Sequence, residues 1–207
     1  MPYSNFKTID DITRAFDVQI VSDDPLFASI AEAEVSPLTK AILEENLPLA
    51  LNINTEKARS ELIIAPVIVE IRRLLERKIS LFSGIEFNVD DSRDLNGYCD
   101  FLLCSSPDQT YLRAPVMCVV EAKNENMKSG YAQCMAEMIA AQLYNAQKGH
   151  PANQIVGVVT TGSNWRFLTL EESLIRIDFD EYLISQVNKI LGIFVAEFHR
   201  ITLRRAA

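Results

Sequence analysis

The stretch that most constrains this chain is residues 98–123. Two apolar runs, Tyr98 to Cys104 and Val116 to Lys123, flank the turn-forming segment Ser105-Ser106-Pro107-Asp108-Gln109-Thr110. Both runs are rich in Val, Leu, Phe and Cys, residues that fit a pleated, buried surface, and they predict a β-hairpin. A hairpin symmetric about the Thr110–Tyr111 bond sets residues whose numbers sum to 221 opposite one another, which places Asp100 against Glu121. Side chains alternate along a strand, so Glu121 and Lys123 share a face and the amine sits one step beyond the carboxylate pair. Facing carboxylates repel unless a cation lies between them. The pattern therefore predicts a cation site, or, as the plainer alternative, an exposed strand end carrying a Lys–Glu pair.

Composition bounds the setting. With 207 residues, 48% of them hydrophobic, the chain can bury a sizeable core as one α/β domain. No run approaches the roughly 20 apolar residues of a membrane span, and Met1-Pro2-Tyr3-Ser4-Asn5 lacks the basic-then-apolar pattern of a signal peptide, so we expect no membrane partner and a cytoplasmic location. Cys99, Cys104, Cys118 and Cys134 contain no CxxC pair and read as reduced core residues. The net charge of −8 runs against phosphate binding, which draws on Lys and Arg. Basic residues do cluster at Arg72-Arg73, Arg77-Lys78 and from Arg200 to Arg205, patterns that equally describe solvated helix faces.

No internal repeat, low-complexity tract or Gly/Ser linker divides the chain. Residues 1–54 read as an N-terminal extension packed on the core: a helix at Ile9 to Phe16, a strand at Val18 to Val21, and a helix from Pro37 to Glu45. A domain over 55–207 follows. It opens with a helix from Thr55 to Lys78, a strand at Ile85 to Val89, the hairpin, and a helix from Met127 to Lys148. Strands at Gln154 to Thr161 and Trp165 to Leu170 come next, then a last helix from Glu181 to Arg204. On the first long helix Glu61 falls on the stripe of Ile64, Ala65, Ile68, Ile71 and Leu75, a core-facing place for a carboxylate, although Pro66 interrupts the pattern. The helix after the hairpin is apolar over most of its surface, which makes Gln133 and Glu137, one turn apart, conspicuous.

An acid on the second strand, Glu-x-Lys on the third and the order αβββαβ resemble the PD-(D/E)xK, or restriction-endonuclease-like, nuclease superfamily over residues from about 55 to 170. Cys99-Asp100 stands where the family name has Pro-Asp. The resemblance implies an α/β fold with a mixed central sheet flanked by helices, and a DNA-hydrolysing enzyme dependent on Mg²⁺ or Mn²⁺. Asp100, Glu121 and the Ala122 carbonyl would hold the metal, joined by Glu61 from the first helix. Lys123 would orient or deprotonate the attacking water, and Gln133 would hydrogen-bond near the metal or touch the substrate backbone. RNA is a second substrate class, and two subunits acting together as a homodimer would add basic surface.

Other chemistries lack material. His150 and His199 are the only histidines, which leaves no His-based triad or His-rich zinc site, and no GxGxxG or GxxxxGK[ST] run is present. Trp165, after the Gly162-Ser163-Asn164 turn, reads as a core residue or as a platform for a base. Two further functions stay open. One is a catalytically silent interaction module, and the other is a regulatory protein whose carboxylates pair with Lys or Arg.

Overall fold

The structure, a computed structural model, describes residues 2–22 and 24–206. The Arg204 and Arg205 side chains of the C-terminal basic cluster lie outside the described residues.

Runs with no polar face must be covered on both sides, and two such runs form the centre of the molecule. Strands β4 (Val116–Ala122) and β5 (Ile155–Thr160) are buried at every position and pair in parallel. Around them the elements follow in the order α1 (Ile9–Ala15), β1 (Gln19–Val21), α2 (Pro37–Ile53), α3 (Glu56–Arg59), a π-helical turn (Ser60–Ile64), α4 (Ala65–Leu74), β2 (Ser80–Glu86) and β3 (Tyr98–Cys104). After β4 come α5 (Lys128–Gln147), β5, β6 (Asn164–Glu171), β7 (Leu174–Ile177), β8 (Tyr182–Leu183) and α6 (Val187–Ala206). One mixed sheet of eight strands has the order β1-β7-β6-β5-β4-β3-β2, with β8 paired to β6. The fold is thus α/β, with a mixed central sheet flanked by helices.

Alternation along the strands splits the core in two. Phe101, Leu103, Val120, Val156, Val158 and Phe167 pack with α4 and α6, whereas Leu102, Val119, Val159, Leu168 and Leu170 pack under α5. Close approach of α5 requires Gly157, where an added Cβ would lie 2.3 Å from Met138 Sδ and 3.0 Å from Cys134 Sγ. The four cysteines are buried and free.

The hairpin has the expected register. Phe101 faces Val120, Leu102 faces Val119 and Leu103 faces Cys118, and an irregularity enters only at Cys104, which faces Val116. Other boundaries differ. Strand β2 is not at Ile85 to Val89 but begins at Ser80, because it is the sheet edge beyond β3 and alternates between half-covered faces. Helix α2 runs on through Pro48 to Ile53, and α6 starts at Val187 because Tyr182 and Leu183 are taken up by pairing with β6. The four residues of β7, absent from the sequence reading, pair with β6 on one side and in parallel with β1 on the other. Residues 1–54 therefore place a strand in the main sheet and lay α2 beside α4.

Glu70 ties these layers. Its carboxylate, 2% exposed, accepts the Ser36 N–H at 2.8 Å and the Thr39 hydroxyl at 3.0 Å at the start of α2, and a two-pronged bond from Arg73 at 2.7 and 2.8 Å. Burial alone would raise its pKa, but the hydrogen bonds from Arg73, Ser36 and Thr39 outweigh it and bring the carboxyl down to about 2. A group with a depressed folded pKa adds stability that is present above its unfolded value and lost as pH falls toward the folded one. Glu70→Gln is accordingly expected to cost about 2–3 kcal/mol at pH 7, a fall in melting temperature of roughly 4–12 °C. Thermal melts should show the gap to wild type shrinking to less than half by pH 3, and a gap independent of pH would contradict the assignment.

Candidate active site

Where β4 leaves the sheet, three charged side chains meet. The Ala122 N–H donates to Asp100 Oδ2 at 2.7 Å, so Asp100 is anchored across the hairpin on the residue that follows Glu121. Lys123 forms an ion pair with Glu121 Oε1, as their shared face requires, and the Lys123 N–H continues the sheet by donating to Thr160 O at 2.8 Å. Glu121 is 0% exposed, and its Oε2 accepts no hydrogen bond among the described residues.

Helix α5 adds a fourth charge-bearing group from above. Glu137 is also 0% exposed, accepts from Gln133 Nε2 at 3.2 Å, and has its second oxygen, Oε2, buried without a hydrogen-bond donor among the described residues. Burial, and after it the Glu121 charge, pushes the Glu137 carboxyl far above the ordinary carboxylate range. Burial and then Asp100 raise Glu121, against the pull of Lys123. Burial raises Asp100 as well, with the Ala122 N–H and the Lys123 ammonium opposing. On Lys123 burial works against the charge, but Glu121 outweighs it and the ammonium is stabilised. Crowded carboxyl groups in a low-dielectric place can be satisfied by a proton, an ammonium or a metal cation, and here Lys123 supplies an ammonium to Glu121.

Lys123 is positioned by a glycine. An added Cβ at Gly130 would lie 3.1 Å from Lys123 Cγ and 2.7 Å from Val159 Cγ1, so the first turn of α5 leaves the space that the lysine stem occupies. A groove of about 280 Å³ opens beside Asp100 and Ala122, lined also by Glu56, Lys57, Ser60, Glu61, Ser83 and Gly84. Two of these come from α3 and bring a first-helix carboxylate to the site, but the one whose charge acts on Lys123 is Glu56. Glu61 lines the groove with its side chain 64% exposed and 3.7 Å from Lys57, not on the core-facing stripe. The π-helical turn Ser60–Ile64 is the reason: its wider winding breaks the phase that links Glu61 to Ile64 and Ile68, and both isoleucines are buried.

The structure thus brings together Asp100, Glu121, Ala122 and Lys123, sets Gln133 behind them through Glu137, and places Glu61 at the groove's outer wall. Sequence reasoning gave Glu137 no role, although a Glu four residues after Gln133 on an apolar helix was its visible signal. Glu56, Gly130 and the groove itself had no signal in periodicity. Trp165 does not serve as a base platform: it is 0% exposed, donates from Nε1 to Gly162 O at 2.9 Å and packs against Phe194. Among the described residues no three His, Cys, Asp or Glu side chains are grouped so as to hold a metal ion by themselves, so a cation here would take two carboxylates plus a backbone oxygen and waters.

Comparison with protein-family models yields no match, and a search of curated proteins yields none. None of the described helices is long and apolar enough to cross a membrane.

Because ionised Asp100 is opposed by burial while Asn can still accept the Ala122 N–H, Asp100→Asn should leave the metal-free protein at least as stable as wild type. Calorimetry should find a melting temperature unchanged or raised by up to about 4 °C, the equivalent of about 1 kcal/mol. A fall of several degrees would make Asp100 a structural residue.

Proposed function

We propose that this protein is a metal-dependent nuclease of the restriction-endonuclease-like type, hydrolysing phosphodiester bonds of DNA. The observation that carries the reading is the convergence of Asp100, Glu121 and Lys123 at the ends of two adjacent strands, with Asp100 and Ala122 opening onto a groove and Glu121 buried behind them, in the element order α, three strands, α, strand. The donor set fits a hard divalent cation such as Mg²⁺ or Mn²⁺, because carboxylate and carbonyl oxygens are its ligands and Glu121 Oε2 is a buried oxygen with no hydrogen bond among the described residues. Asp100, Glu121 and the Ala122 carbonyl would hold it. Such an ion, when bound, lowers the pKa of its water and polarises a phosphoryl oxygen.

The chain's own groups divide the remaining work. Lys123, charged and without a lone pair to donate, is suited to orienting a water and to offsetting charge that grows on the phosphoryl oxygens. Its ion pair with Glu121 and the space at Gly130 hold the ammonium beside the carboxylates. Gln133 donates to Glu137, and the buried Glu137 carboxyl acts on Glu121 from the helix, so the surroundings of Glu121 are protein groups rather than solvent.

A second reading is a catalytically silent interaction module. The direct Lys123–Glu121 ion pair favours it, since an internal ammonium already supplies positive charge to the cluster.

Cleavage separates the two. At low ionic strength with Mg²⁺ or Mn²⁺, the wild type should nick or degrade DNA, and Lys123→Ala should cut turnover by at least about 10²-fold. Melting with and without metal should show that Lys123→Ala keeps the metal-induced stabilisation and that Asp100→Asn loses it. If the wild type cuts neither duplex, single-stranded nor branched DNA, nor RNA, with either metal, the silent module is the correct reading.

A further inference from the structure

A second groove, of about 540 Å³, begins at Asn124, directly after Lys123, and runs along the first turn of α5 to the turn between β5 and β6. Its walls carry Arg59, Lys128 and Arg166, three cations in a chain of net charge −8. Arg59 is 9% exposed, and every hydrogen bond of its guanidinium goes to a neutral acceptor. Nε and Nη2 donate to Asn54 Oδ1 at 3.1 and 2.9 Å, and Nη1 donates to Thr161 O at 2.9 Å and Ser163 Oγ at 3.2 Å. A buried charge held only by dipoles leaves a positive potential over the groove floor. Arg166 reaches Glu181 only at 3.4 Å, and its Nε–H is buried with no acceptor among the described residues. Asn124 Oδ1, on the same wall, is also buried without a partner, and an amide turned over there offers a donor instead. The acids of the groove are Glu125, which accepts from Asn54 Nδ2 at 2.9 Å, and Glu181.

We propose that this groove, through Arg59, Lys128 and Arg166, binds a backbone phosphate of the nucleic-acid strand, beside the phosphate that the Asp100–Glu121 site would hydrolyse. The inference rests on the nuclease reading and adds to it the place where the strand is held. Guanidinium forks match phosphate oxygens two at a time, and a ligand phosphate offers Arg166 a stronger acceptor than a carboxylate at 3.4 Å. The volume lies within the roughly 300–1,000 Å³ of ligand sites. Helix α3 borders both grooves, with Arg59 on this one and Glu56 on the other, and Lys123 stands in the chain between Ala122 of that groove and Asn124 of this one.

Binding can be read without catalysis, by fluorescence anisotropy of a labelled single-stranded DNA oligonucleotide in EDTA across a salt series. Arg166→Ala and Lys128→Ala should each weaken binding about tenfold and flatten the salt dependence by about one counterion, and Glu181→Gln should tighten binding about threefold. The same oligonucleotide with an uncharged methylphosphonate backbone should bind equally poorly to wild type and variants. Lys128 is on the surface, so its variant reports even where Arg166→Ala disturbs folding. Wild-type affinity and salt slope retained in both Arg166→Ala and Lys128→Ala would overturn the proposal, as would a wild type that does not bind the charged strand at low salt. A wild type that binds through these residues but never cuts with metal keeps the groove and removes the nuclease.

Discussion

The arrangement depends on one unfavourable fact: the carboxylate of Glu121 is fully withdrawn from water in the company of two more acids, Asp100 and Glu137. Isolated, such a charge would cost several kcal/mol and would take up a proton instead. Lys123 is what the chain itself provides to offset it. Much of the surrounding packing serves that contact. The approach of α5 at Gly157 brings Glu137 down over the sheet, and Gly130 leaves room for the lysine stem. Fully covered central strands exclude water that would screen the charges. A scaffold that gathers acids against their own repulsion keeps a persistent preference for a cation, which is the property the proposed chemistry uses.

The central part of this was legible in the sequence. The hairpin register followed from the position of the turn residues and the lengths of the two apolar runs, and it survives to Leu103, where the chain becomes irregular before Val116. Glu121 and Lys123 share a face because strand side chains have a period of two and nothing interrupts β4. Helix α5 was legible because a long apolar stretch of mixed small residues has only one way to be buried.

What was illegible came from geometry that one-dimensional periodicity does not carry. Glu61 was misphased because a single π-turn rotates everything before it relative to α4, so the first-helix carboxylate whose charge reaches Lys123, after that of Glu121, is Glu56. Strand β2 was displaced because edge strands alternate on half-covered faces and resemble loops, and β7 is too short to stand out without the partners on either side of it. Arg59 lies in a stretch of ordinary helical sequence, and only the fold reveals that its guanidinium is buried on neutral acceptors beneath a groove. The acidic net charge of the whole chain likewise conceals a local wall of three cations.

The most direct test of the account is to locate the cation. A crystal grown without metal and then soaked in Mn²⁺, measured for anomalous scattering, should show a peak with oxygens of both Asp100 and Glu121 within about 2.0–2.6 Å of it. Lys123 should then no longer be the sole counter-charge of Glu121. Density absent from that place, or Glu121 still closed on Lys123 with the metal bound elsewhere, would contradict a shared cation and with it the nuclease reading.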